Sequence, residues 1–162
     1  IYTGAKFTRL YFKDCYIDGT TDFIFGPSTA LFEDCIIHSK RNSYVTAAST
    51  PKEAKYGYVF KHCKLTAEPG VDKVYLGRPW RPYAYTLFIE CELGKHIVLA
   101  GWHNWGKQSN EETARYMEYK NTGEGANASE RVAWSKQLTK KEAEAVTVDA
   151  IFRTQSDWDP ID

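Results

Sequence analysis

An all-β solenoid, a parallel β-helix with a short helix near its C-terminus, is the fold class this sequence predicts. Three observations carry it. A strand-like motif recurs around each of the four cysteines, turn-rich spacers of varying length separate the copies, and a helix-start signature appears only late in the chain. The copies read YFKDCYI (11–17), LFEDCII (31–37), VFKHCKL (59–65) and LFIECEL (87–93), each apolar–Phe–x–polar–Cys–x–apolar. Successive cysteines lie 20, 28 and 28 residues apart. A motif repeating at such a period marks stacked rungs that bury their apolar faces against one another. The rival is an antiparallel β-sandwich with coincidental Phe-Cys strands, and agreement at four positions per copy favours the solenoid.

The elements follow in order. The opening IYTGAKF has neither a charged n-region nor an apolar h-region, so it is no signal peptide and reads as a strand entered midway. Alternation and β-branched or aromatic content predict strands at 9–17, 22–25, 30–37, 43–48, 57–65, 73–77, 85–92 and 97–100. SKRN (39–42), STPKEAKYG (49–57) and GRPWRPYA (77–84) are polar or Pro-rich and read as loops. On a regular strand Phe and Cys three apart face opposite sides, while stacking sets Phe over Phe and Cys over Cys. Stacked strands lie about 4.8 Å apart against about 3.8 Å between disulfide Cβ atoms, so stacked cysteines could remain free thiols acting as small hydrophobes, and the sequence does not decide between free and oxidised. ARYMEYKNTGEGAN (114–127) starts as an alternating strand and ends in a Gly-rich turn. Thr139 with Glu142 three residues on forms a capping box, predicting a helix from about 140 to Ile151-Phe152, with an irregular tail QSDWDPID after it. One domain covers 1–162, with stacked rungs over roughly 1–106 and closing strand, loops, helix and tail over 107–162.

Composition excludes several roles. The chain of 162 residues is 43% hydrophobic and 26% charged, with Lys+Arg and Asp+Glu balanced at 21 each. That is neither a disordered chain nor one with a global field for nucleic acid or anionic lipid, and no apolar run nears the ~20 residues of a membrane span. There is no CxxC and the four His are scattered, so no zinc site is expected. The Trp, Tyr and Phe content suits core packing first and a sugar-facing cleft second.

GTTDFIFG (19–26) holds the leading candidate for chemistry. Asp22 abuts Phe23, Ile24 and Phe25, and a buried lone carboxylate is costly, so it must be paired, protonated or open to a cleft. A turn aspartate is the plainer use; the apolar run after it argues for a strand-start carboxylate facing a groove. In YLGRPWRPYA (75–84), Arg78 and Trp80 flank Pro79, and an Arg there is suited to grip a carboxylate with two bonds. AGWHNWG (100–106) places His103 between two tryptophans, where a structural role is the expectation, and His38, His62 and His96 read as ordinary rung positions. No GxSxG elbow or phosphate loop is present, and NAS (127–129) matches a glycosylation sequon.

Taken together, GTTDFIFG, YLGRPW, EYKNTGEGA (118–126), RVAW (131–134) and the closing IF…W pattern resemble the pectinesterases, carbohydrate esterases that remove methyl groups from pectin. Thr21 and Glu124 depart from the family's usual Val and Pro. The resemblance runs through essentially the whole chain and implies a right-handed parallel β-helix. It implies Asp22 as nucleophile on a galacturonate methyl ester, releasing methanol through an acyl-enzyme anhydride. Arg78 would orient Asp22 and keep it ionised, leaving one carboxylate oxygen to an open groove, and Arg78, Trp80 and Phe23 would contact the sugar. It implies no metal or organic cofactor, a homogalacturonan partner with no nucleic acid or membrane, and a secreted, periplasmic or cell-wall setting. The family's QDT motif, which supplies a general acid/base Asp and an oxyanion Gln, has no counterpart here, and Gln108, Gln137 and Gln155 stand in unrelated contexts. The chain alone is therefore expected to be nearly inactive, and its first rung to be covered by the rest of a longer enzyme or by another chain. A non-catalytic carbohydrate-binding solenoid and a polysaccharide lyase or glycosidase on the same fold are the alternatives.

Overall fold

The computed structural model describes residues 1–153, 158, 160 and 161. Gln155 and most of the tail expected over 155–162 lie outside them. Each Cys motif forms two strands with a corner between, not the single strand expected at 9–17, 30–37, 57–65 or 85–92. The first rung comprises β1 (Arg9–Lys13), β2 (Tyr16–Gly19) and β3 (Ile24–Gly26), and the second β4 (Thr29–Glu33), β5 (Ile36–Ser39) and β6 (Tyr44–Ala48). The third comprises β7 (Tyr58–Lys61), β8 (Lys64–Ala67) and β9 (Tyr75–Gly77), the fourth β10 (Tyr85–Ile89) and β11 (Glu92–Leu93). β12 (Arg115–Tyr119) and β13 (Lys136–Gln137) complete the stack. The strand expected at 97–100 is reduced to a bridge between Ile97 and Val74, followed by a turn.

Three parallel sheets result, ordered β1-β4-β7-β10-β12-β13, β2-β5-β8-β11 and β3-β6-β9. The corner has a simple cause. Asp14, Asp34, His62 and Glu90, each directly before a cysteine, have φ of 53°, 53°, 53° and 51°. That left-handed residue turns the chain between the first and second sheets, so Phe and Cys both point inward instead of to opposite faces. Phe12, Phe32, Phe60 and Phe88 stack with ring centroids 4.8, 4.5 and 4.4 Å apart. Beside them the Cys35, Cys63 and Cys91 thiols are free and donate to the Phe12, Phe32 and Phe60 carbonyls at 3.5, 3.3 and 3.5 Å. Each buried Phe contributes about 1.5–3 kcal/mol by burial. Stacked pairs add roughly 0.5–1.5 kcal/mol, so the ladder fixes register as well as stability.

At the fifth rung the pattern changes. Glu118 stands in register with Phe88, and Asn121 takes the cysteine's place, its Oδ1 accepting the Cys91 N–H at 2.9 Å. Glu118 is buried but paired: Arg131 donates from Nε at 2.8 Å and from Nη2 at 3.2 Å. Thus the EYKNTGEGA and RVAW segments together close the core.

The capping box is present, Thr139 Oγ1 accepting from Glu142 N–H and the Glu142 carboxylate accepting from Thr139 N–H. The single helix expected from 140 to 152 is instead two. α1 (Ser109–Thr113) lies earlier in the chain; α2 (Lys140–Glu144) and α3 (Val148–Phe152) follow, the last started anew by Thr147 as its cap. Val146, Ile151 and Phe152 cover Leu31, Val59 and Leu87 on the outward face of the first sheet. No helix among the described residues is long and apolar enough to cross a membrane.

Candidate active site

Asp22 sits in the bend before β3 and not at a strand start. Its φ is +49°, and its N–H donates to the Tyr44 carbonyl of the next rung at 2.8 Å. A left-handed aspartate is uncommon and costs on the order of 1 kcal/mol, so such a conformation persists where its surroundings impose it. Here they do: a side chain at Gly19 would collide with Phe23, so the turn closes tightly beneath the carboxylate.

Arg78 arrives from the third rung, two above that of Asp22. It leaves the end of β9 and runs along the edge of β6, with Arg78 N–H donating to Thr46 O at 3.0 Å and Trp80 N–H to Ala48 O at 2.9 Å. Pro79 lacks a donor and fixes φ, so the loop continues strand-like between those two bonds. At Gly77 a Cβ would drive into Thr46 Oγ1, so a glycine is needed for this close approach.

The two side chains meet as a fork. Arg78 Nε donates to Asp22 Oδ1 at 3.0 Å and Nη2 to Oδ2 at 2.7 Å, with both side chains 19% exposed. Such bidentate, charge-assisted bonds set both distance and plane. The guanidinium is also held on its faces, its carbon 3.8 Å from the centroid of Tyr44 and 3.8 Å from that of Trp105. His103 packs edge-on to Tyr44 and Tyr75, accepts the Trp105 N–H at Nδ1 at 3.0 Å, and is shifted down in pKa by burial and then by Arg78. A neutral His103 thus supports the aromatic sandwich without adding charge beside the guanidinium.

The fork opens onto a cleft of about 250 Å³ lined by Thr21, Asp22, Phe25, Ala47, Trp80 and Trp105. Trp80 is 38% exposed and meets Phe25 edge-on at 6.0 Å. Two sequence expectations need correction. Phe23 turns into the core at 7% exposure, and Phe25, two residues on, is the cleft aromatic. Both Asp22 oxygens, not one, are engaged by Arg78; an ionised carboxylate has about four acceptor positions, so acceptor capacity remains on each oxygen. Tyr44, Trp105 and Phe25 escaped the sequence reading. The Trp pair in AGWHNWG was a usable signal, since one member, Trp102, fills the core and leaves Trp105 for the site. Nothing in RNSYVTAA marks Tyr44. No group of three or more His, Cys, Asp or Glu suited to a metal ion occurs among the described residues.

A family model, Pectinesterase, matches residues 1–155. The chain belongs to the pectinesterase family. Pectinesterase 31 of Arabidopsis thaliana is 45% identical over 136 residues, 83% of this chain and 43% of that protein. Pectinesterase QRT1 of the same plant is 36% identical over 135 residues, 82% of this chain and 35% of that protein. The chain thus spans less than half the length of these relatives. Among solved structures, pectin methylesterase from carrot superposes with a TM-score of 0.86 at 33% identity, over 94% of this chain and 54% of that one. A pectin methylesterase in complex with a hexasaccharide gives 0.78 at 30% identity, over 94% and 52%. The parallel β-helix expected from the cysteine repeat is therefore the family's fold as well.

Proposed function

We propose that this pectinesterase-family chain acts on methyl esters of polygalacturonate, with Asp22 as the attacking carboxylate. The observation that carries the reading is the Arg78 fork on Asp22 at the edge of an aromatic cleft. An Asp22 oxygen would attack the ester carbonyl carbon, the C–O bond to the methoxy group would break, and methanol would leave after gaining a proton. The resulting mixed anhydride would be cleaved by water, which returns Asp22 to a carboxylate and leaves the galacturonate acid. Arg78 keeps the nucleophile's plane fixed, and Trp80 offers an exposed ring face to the sugar. One structural relative is a pectin methylesterase in complex with a hexasaccharide, which supports a polysaccharide ligand for this chain too.

Asp22 is the one carboxylate in the cleft lining and Thr21 the one hydroxyl, with no carboxamide. That composition favours ester cleavage over glycoside cleavage, which ordinarily uses two carboxyl groups flanking the bond. It also leaves proton transfer and oxyanion stabilisation to groups outside the cleft lining. The first is worth ~10²–10⁴-fold and the second ~10²–10³-fold, so turnover by this chain alone is slow. The polymer substrate implies a secreted, periplasmic or wall-associated setting. Product analysis on methyl-esterified pectin tests the reading: methanol with saturated, unshortened chains is expected. Unsaturated or shortened chains would indicate a lyase or glycosidase, and binding without methanol a carbohydrate-binding solenoid.

A further inference from the structure

Asn127 opens the NAS triplet, which the chemistry of the cleft leaves unused. It lies in the loop after β12, where it caps the 3-10 turn Ala128–Glu130. Its Oδ1 accepts twice from Ser129, from the N–H at 3.2 Å and from the hydroxyl at 2.8 Å. Residues 127 to 130 are all exposed. The loop is held from below: Arg131 Nη2 donates to Gly125 O at 2.6 Å, Gly125 N–H to Leu93 O at 2.9 Å and Val132 N–H to Ala100 O at 3.1 Å. The other four asparagines of the chain spend their amide nitrogens inside the fold. Nδ2 of Asn42 donates to Asp72, that of Asn104 to Glu111, that of Asn110 to Asn104 O and that of Asn121 to Glu118. Asn127 instead makes both its side-chain bonds through Oδ1, and among the described residues nothing accepts from its Nδ2.

We propose that Asn127 is an N-glycosylation site, modified from a lipid-linked oligosaccharyl diphosphate in a eukaryotic secretory compartment. In that transfer Nδ2 forms a bond to the anomeric carbon, and the bond from that carbon to the diphosphate oxygen breaks. The lipid diphosphate leaves, and Nδ2 gives up one proton. The two Ser129 bonds fix the carboxamide plane from its oxygen side and leave the nitrogen side to solvent. Attachment consumes a hydrogen that the fold does not use, so both Oδ1 bonds and the turn they cap persist. A bulky, hydrophilic glycan suits such an exposed loop. The loop lies four rungs above Asp22, roughly 19 Å along the stack at ordinary strand spacing, so the cleft lining is untouched. Next to it is Leu99, which is 54% exposed and whose carbonyl accepts from Arg131 Nη1 at 3.0 Å, so the glycan stands beside an apolar spot near the end of the stack. The site is independent of the pectin reading.

The test is expression of the full chain behind a secretory leader peptide in plant or yeast cells. The chain is purified from cells and medium together and weighed by intact mass spectrometry before and after peptide N-glycosidase. Wild type and Ser129→Thr are expected to carry a glycan that the glycosidase removes, leaving an aspartate at position 127. Asn127→Gln and Ser129→Ala are expected to be bare. Ser129→Ala keeps the Asn127 side chain, so its loss of the glycan reports the missing hydroxyl and not a missing acceptor. A wild-type chain without a glycan, or a glycan that persists in either Asn127→Gln or Ser129→Ala, overturns the site.

Discussion

Breaking the fork between Asp22 and Arg78 should cost more than removing either partner's exposed charge would suggest. The perturbation is a double-mutant cycle of Asp22→Asn, Arg78→Met and the two combined. Two opposite charges about 4 Å apart interact by roughly 4 kcal/mol at an effective dielectric near 20. Each side chain is 19% exposed, so some of that is screened and some offset by desolvation. A coupling of about 2 kcal/mol remains, in line with two charge-assisted hydrogen bonds. Arg78→Met also forfeits its contacts with Tyr44 and Trp105, worth about 0.5–1 kcal/mol each, so the single variant should lose about 3–4 kcal/mol. Urea unfolding at neutral pH and low salt reads all four stabilities, and the combined variant should be less destabilised than the sum by the coupling term. A coupling below about 0.5 kcal/mol would refute the reasoning, because the fork would then be no more than a surface contact.

Other consequences follow from the core. His96 is 3% exposed with Nε2 unpartnered, and burial, with His38 second, pushes its pKa down to about 4. The unfolded value is near 6.5, so its contribution, about 3 kcal/mol, is complete above that pH and lost as pH falls toward 4; His96→Gln should flatten urea midpoints across that window. Arg131→Met leaves Glu118 buried without its charge partner and should destabilise by about 3–5 kcal/mol, read by urea unfolding, with Glu118→Gln/Arg131→Met less affected. Hydrogen bonding with Cys63 and burial push the Cys35 thiol up, whereas Cys15 is only partly buried. Iodoacetamide should therefore label Cys15 first in the folded chain and all four cysteines in urea, as mass spectrometry would show.

Much of this was legible in the residues themselves. The Phe and Cys spacing set the stack because identical side chains in register make identical contacts, and the capping box marked its helix because both partners are local. The corner before each cysteine was not legible: Asp, Asp, His and Glu share only polarity, which does not mark a left-handed turn, and that turn is imposed by closure of the rung. Glu118 in the Phe ladder was hidden for a related reason, since its partner Arg131 comes from another segment. At the site, Asp22 and Arg78 stood out because each sits oddly among apolar or Pro-rich neighbours. Tyr44 and Trp105 did not, because their role depends on which faces of the guanidinium remain open once three rungs are stacked. Strand alternation alone would put Phe23 and Phe25 on one face; Phe23 instead precedes β3, directly after the left-handed bend at Asp22, and is turned into the core while Phe25 lines the cleft.

The central claim is that the Asp22 carboxylate itself attacks the ester. Methanol released from methyl-esterified pectin, followed over long incubations at high protein concentration, compares wild type with Asp22→Asn, which keeps the side chain's shape. Slow release that disappears with the substitution, while the pectin still binds, is the predicted result. Release that continues at the wild-type rate without that carboxylate would contradict the account.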